Sequence, residues 1–108
     1  MDATGRAAGC FVAMSRFVIA NGLEEDVRHA FKQRPHRVDE TPGFVRMDVL
    51  SPTEASNEFW LITYWTDEQS YRTWHRGHRY KDAHSGIPKG LKLMRGQTQL
   101  RYFHHIAS

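Results

Sequence analysis

The sequence predicts an α+β domain of order β-α-β-β-α-β, with four strands in one antiparallel sheet. Three observations carry that prediction. Segments 11–20, 44–50, 58–65 and 98–106 are rich in aromatic and β-branched residues. Two stretches between them place apolar residues at helical spacing. Gly, Pro and Asn punctuate the joins.

Residues 1–10 (MDATGRAAGC) are small and turn-prone and read as a flexible tail, leaving 11–108 as a single domain. In FVAMSRFVIA, Phe11, Ala13, Ser15, Phe17 and Ile19 share one face, and Val12, Met14, Arg16 and Val18 the other. Both faces are largely apolar, so the strand is expected to be covered on both sides. Asn21-Gly22 breaks it. Leu23, Val27, Ala30 and Phe31 then form one apolar stripe, with Asn21 and Glu24 in capping-box spacing and Pro35 as the stop.

Thr41-Pro42-Gly43 turns the chain into the second strand, and 51–56 connects it to the third, EFWLITYW. There Phe59, Leu61, Thr63 and Trp65 oppose Trp60, Ile62 and Tyr64, again two apolar faces. Helices on one side leave the second face wet, and a partner subunit is the economical cover. TDEQ (66–69) is a second capping box, opening a helix with Tyr71 and Trp74 on one side. Gly77 ends or bends that helix, 78–84 forms a short helical piece, and SGIPKGLKLMRGQ is a loop before the last strand. This order of elements is the ferredoxin-like arrangement.

Composition narrows the function. The chain is 40% hydrophobic and 25% charged, ordinary values for a soluble globular protein. A single cysteine, Cys10, excludes an intramolecular disulfide, and no apolar run reaches membrane-spanning length, so the expected compartment is the cytoplasm. The net charge of +3 is too small to argue for nucleic acid, and no RNP-like motif accompanies LRYF at 100–103. Arg72, Arg76, Arg79, Lys81, Lys89, Lys92 and Arg95 nevertheless cluster late, either as a solvated face or as a rim for an anionic small molecule.

The histidine-rich stretch TWHRGHRYKDAH (73–84) invites a metal reading, but a closed zinc site needs three or four convergent donors. The only cysteine lies in the tail, and His75 and His78 read as exposed helix residues among cations. Ser15 and Ser85 have no nucleophile-elbow context, and the acidic residues are explained as helix caps. Trp74 and His84, ten positions apart, admit two readings on spacing alone. One is a core indole and a helix-capping imidazole. The other is a pocket in which His84 offers a neutral nitrogen to a metal carried by a ligand, such as heme iron.

The stretch from Phe11 to about Ile106 resembles the antibiotic biosynthesis monooxygenase (ABM) domain family, and within it the IsdG-type heme-degrading monooxygenases. The likeness runs through FVAMSRFVIANG, DETPGFVRMDVL, FWLITYWTDEQSYRTW and KDAH. It implies a homodimer joined through the sheets into a β-barrel. It also implies heme as both cofactor and substrate, O₂, and an external electron donor, a reductase or small reductant. His84 would ligate the iron, Trp74 would press on the porphyrin, and Arg76 and Lys89 would meet the propionates. The family's usual distal Asn is replaced here by Ser15, whose hydroxyl donates a hydrogen bond but reaches less far than an amide. Two other outcomes share the scaffold: a cofactor-free monooxygenase of aromatic or quinol substrates, and a non-enzymatic heme-binding module.

Overall fold

Alternating aromatic and β-branched residues produce the four strands where the pattern places them. The computed structural model describes residues 11–33, 40–76 and 90–107. Strands β1 (Phe11–Val18), β2 (Phe44–Leu50), β3 (Glu58–Trp65) and β4 (Gln99–His104) alternate with helices α1 (Glu24–Lys32) and α2 (Glu68–Arg76) in the expected order. The sheet runs β2-β3-β1-β4, all neighbours antiparallel. This is the ferredoxin-like fold. The tail at 1–10, the helical piece at 78–84, His78, His84 and Lys89 lie outside the described residues.

Register fixes which side chains share a face. Phe11 pairs with Trp65, Ser15 with Leu61 and Phe17 with Phe59 across β1 and β3. On its other side β1 pairs Ala13 with Tyr102 and Ser15 with Leu100. Directly opposed residues point the same way, so these positions form the side on which both helices lie. Between Phe44 and Arg46 the β2–β3 register shifts at a bulge, which leaves Arg46, Asp48 and Leu50 on the open side beside Tyr64, Ile62 and Trp60.

Most of the buried core falls into two clusters, while Met14 and Val18 are buried on the other face of β1. Phe11, Ala13, Trp65, Tyr71 and Trp74 form one cluster, joined by half-buried Phe44. Ile19, Val27 and Phe59 form the other, with Phe17, Leu23, Phe31, Val49 and Leu91 against it. In the first cluster the Trp65 indole donates to Thr63 Oγ1 at 2.8 Å, and Thr63 Oγ1 donates to the Ala13 carbonyl at 3.4 Å. Both polar groups of that buried pair are thereby satisfied.

Three local signals resolve differently from their sequence reading. α1 is capped by Leu23 without a side-chain hydrogen bond. Asn21 instead reaches across the chain, donating to the Gly90 carbonyl at 2.8 Å and accepting from Lys92 N at 3.3 Å. An Asn amide pairs with any peptide unit that arrives alongside it, and here residues 90–92 outcompete the helix terminus. At α2 the cap is Asp67, not Thr66: Asp67 Oδ1 accepts from Ser70 N at 2.7 Å. That backbone hydrogen bond, with help from the Ser70 and Thr66 hydroxyls, holds the Asp67 carboxyl below its ordinary value. The loop before β4 also gains order, because Ile19 bridges Leu93 beyond the end of β1, and Ala20 N and Met94 N donate to the Lys92 and Val18 carbonyls.

Gly43 is the one glycine whose conformation bears on the site. Its φ of 84° suits the turn, and a Cβ there would collide with the Ser70 side chain. Its carbonyl accepts from Thr66 N at 2.8 Å, which seats the first turn of α2 on the start of β2.

Candidate functional site

Between the two clusters the helix side of the sheet is incompletely covered. The row Leu61–Ser15–Leu100 crosses β3, β1 and β4 at this level, and none of the three belongs to either cluster. Ser15 and Leu61 are half-buried, while Leu100 is 50% and Tyr102 40% exposed on the adjoining row of β4. Apolar side chains that point toward the helices yet keep this exposure form a partly uncovered apolar strip, the kind of surface at which ligands bind. Among the described residues, no group hydrogen-bonds the Ser15 hydroxyl, so it is the polar atom offered within the strip.

α2 supplies the wall at one end. Tyr71 and Trp74 fall three residues apart on its buried side. The Trp74 ring lies 5.4 Å from that of Trp65 and 6.1 Å from that of Tyr71, and Tyr71 is 5.5 Å from Tyr102 in an edge-on contact. Arg72 stacks over the Tyr102 ring at 4.9 Å while its guanidinium is held by Glu68 at 2.9 Å. An apolar floor, an aromatic wall and cations on the rim are therefore adjacent. Trp74 itself is buried in the cluster, with 8% exposure.

The residues singled out by sequence distribute unevenly. Ser15 lies in the strip, two positions along β1 from Ala13, which belongs to the Trp74 cluster. Arg76 is exposed in the last turn of α2. His75 is exposed too, yet its ring lies 5.5 Å from Tyr71 and 6.4 Å from Trp74, so it borders the aromatic cluster. Among the described residues there is no group of three or more potential metal-binding side chains. The chain leaves α2 just after Trp74 and returns paired to Val18 and Ala20, beside the second cluster. Sequence reasoning does not single out Leu61, Leu100 and Tyr102. Parity groups Leu61 with Phe59, Thr63 and Trp65, but only register shows that it lies opposite Ser15 and that β4 brings Leu100 and Tyr102 alongside.

These features define a ferredoxin-like α+β domain with a partly exposed apolar strip on the helix side of its sheet. Residues 10–86 match the family described as antibiotic biosynthesis monooxygenase, and the chain belongs to that family. It is 23% identical over 83 residues to a mycobilin-producing heme oxygenase of Mycobacterium tuberculosis, covering 69% of this chain and 79% of that one. It is 27% identical over 81 residues to a staphylobilin-producing heme oxygenase of Staphylococcus saprophyticus, with 73% and 77% covered. Among solved structures, it is similar to the M. tuberculosis heme degrader MhuD with two hemes bound in its active site: TM-score 0.72, 20% identity, 91% and 97% of the two chains. It is equally similar to SnoaB, a cofactor-independent oxygenase from Streptomyces nogalater, at TM-score 0.72 and 19% identity over 94% and 97%. Among the described residues, no helix is long and apolar enough to cross a membrane.

Proposed function

We infer that this chain is a heme-degrading monooxygenase that takes heme as both cofactor and substrate on the strip between its two core clusters. The observation that carries the reading is the half-exposed row Leu61–Ser15–Leu100 beside Tyr102 and the Trp74 cluster, in a chain whose relatives include two heme oxygenases. A porphyrin is a flat apolar disc with two carboxylates. The apolar strip, and the cations Arg72 and Arg76 on α2, fit that chemistry.

The roles divide by element. His84, in the connection between α2 and the 90–94 segment, would hold the heme iron through a neutral ring nitrogen. Trp74, at the margin of the aromatic cluster, would press on the porphyrin and favour its distortion. The Ser15 hydroxyl would donate a hydrogen bond to the oxygen co-substrate, directly or through one water. Arg76 and Lys89 hold the propionates by charge-assisted hydrogen bonds. Heme supplies the redox chemistry, with O₂ as co-substrate and electrons from an external donor, so that its own ring is oxidatively opened and iron released. The protein supplies ligation, orientation and exclusion of water. The unit is a homodimer formed through the open sheet face, with residues 11–108 as one domain.

The test is aerobic reduction of the heme-loaded protein with ascorbate, following the Soret band and ferrous iron captured by a chelator. Loss of the band with stoichiometric iron release is the expected result. A stable Soret band with no iron release would instead identify a heme-holding module. Ser15, together with the likeness to SnoaB, favours one further reading, a cofactor-independent oxygenase of quinol-like aromatics on the same strip. O₂ uptake with a quinol and no heme would select it.

A further inference from the structure

The open face of the sheet carries a charge pattern that pairs with its own reversed copy. Register places its residues in rows. Asp48, Ile62, Met14 and Arg101 form one row from the β2 edge to the β4 edge. Arg46, Tyr64, Val12 and Phe103 form the next, and Leu50, Trp60, Arg16 and Gln99 the one beyond. In the middle of the face Arg16 and Glu58 neutralise each other, Nε to Oε2 at 3.0 Å and Nη2 to Oε1 at 3.2 Å, and the Trp60 indole donates to the same carboxylate. At the β2 edge Asp48 lies 3.5 Å from Arg46. At the β4 edge Arg101 lies over the Phe103 ring at 5.3 Å and has no acidic partner among the described residues.

Aligned face-to-face sheets related by a two-fold can have the axis along the strands or across them. An axis across the strands lays β4 over the partner's β4. The β4 residues on this face are Gln99, Arg101 and Phe103, so Arg101 then meets no acid and can meet itself. An axis along the strands lays β4 over the partner's β2. Every row then faces its own reversal: Arg101 opposes the partner's Asp48, Phe103 the partner's Arg46, Arg16 the partner's Trp60, and Met14 the partner's Ile62. Facing sheets lie about 10 Å apart, a gap that an arginine and an aspartate bridge together.

Resting on the reading that two copies associate through this face, we propose that they do so about a two-fold parallel to the strands, specified by two symmetry-related ion pairs between Arg101 and the partner's Asp48. A carboxylate accepts several hydrogen bonds at once, so Asp48 keeps Arg46 while taking the second cation. Half-buried Ile62, Tyr64, Trp60 and Val12 supply apolar contact around the already buried Met14, and the charged ends select the direction.

Sedimentation equilibrium on the full chain tests both layers separately. Wild-type protein is a dimer; a monomer at every concentration would overturn the association itself and this proposal with it. Asp48→Lys and Arg101→Glu each weaken the dimer by about tenfold or more, since each puts like charges face to face. Mixed one to one, the two variants form a heterodimer of near wild-type affinity. In it the introduced lysine of one chain meets the introduced glutamate of the other, and the second contact is the native pair of Asp48 and Arg101. Near-ultraviolet circular dichroism confirms that each variant is folded, as expected for two partly exposed positions. A wild-type dimer whose single variants dimerise normally, or whose mixture gains nothing, overturns the proposed axis while leaving association intact.

Discussion

On the helix side of the sheet, Trp65, Phe59, Ile19 and Val27 are almost wholly sealed, and the Trp65 indole hydrogen bond is answered within the same layer. On the open side Trp60, Tyr64 and Phe103 each lie beside an arginine, at 6.0, 4.3 and 5.3 Å from ring to guanidinium carbon. The first face is stabilised by removal of apolar area from water, which is non-directional and tolerates a gap in its middle. Met14 and Val18 are buried on the second face too, but around them charges are set against rings and against each other. That face's contribution to folding is smaller, and its pattern is directional. A four-stranded sheet can thus devote one side to a core and guest and the other to a partner.

The comparison breaks most readily at Trp65. Trp65→Ala removes the largest fully buried side chain and costs about 3–5 kcal/mol in denaturant unfolding, because the cluster cannot collapse onto the space. Thr63→Val keeps the shape but strands the Trp65 indole N–H in the core, for about 1–3 kcal/mol. If the loss were near zero, the Thr63 hydroxyl would not be what satisfies that indole.

On the open face the effects are smaller and depend on pH. The Arg16 guanidinium, and next the Trp60 indole, hold the Glu58 carboxyl below its ordinary value. A depressed folded-state value means that the stabilisation is present above the unfolded carboxylate value and is lost as pH falls through the folded one. The Asp67 cap acts in the same direction. Acid unfolding of Glu58→Gln should therefore depend less steeply on pH than wild type below the ordinary glutamate range, with a smaller loss at neutrality than Thr63→Val. A wild-type slope in that variant would contradict it. The smallest stability effect is expected at Ser15, where no described protein group engages the hydroxyl. Ser15→Asn leaves the unfolding midpoint nearly unchanged and alters the rate of heme loss under ascorbate. An unchanged rate would remove Ser15 from the site.

The strands are legible because their signals are local. Pro42-Gly43 and the loop at 51–56 bracket β2, and its predicted span, 44–50, is the one observed. β3 likewise matches at 58–65, with Phe59 and Trp65 on the buried face. The strand ends at Ile19 and in 105–106 are less so. Whether an apolar residue continues a ladder depends on what chain arrives beside it, and Leu93 reaches Ile19 only as an isolated bridge. Asn21 illustrates the same limit: its spacing to Glu24 spells a capping box, but a distant segment takes its amide. Parity puts Ser15 on the face of Phe11, Ala13, Phe17 and Ile19, and the packing of that face against α2 shows that it meets the helices. Parity cannot show that the core parts at that level, since the parting reflects where α1 and α2 come down on the sheet. His84 is read from spacing and family resemblance, and its role stands as a proposal.

The most direct measurement is a hemin titration of the full chain beside His84→Ala, monitored at the Soret band. Saturable binding with a shifted Soret band is expected in the wild type, and loss of that band in the variant, whose fold is unchanged by circular dichroism. Undiminished porphyrin affinity and an unaltered spectrum in His84→Ala would contradict the assignment of that imidazole to iron.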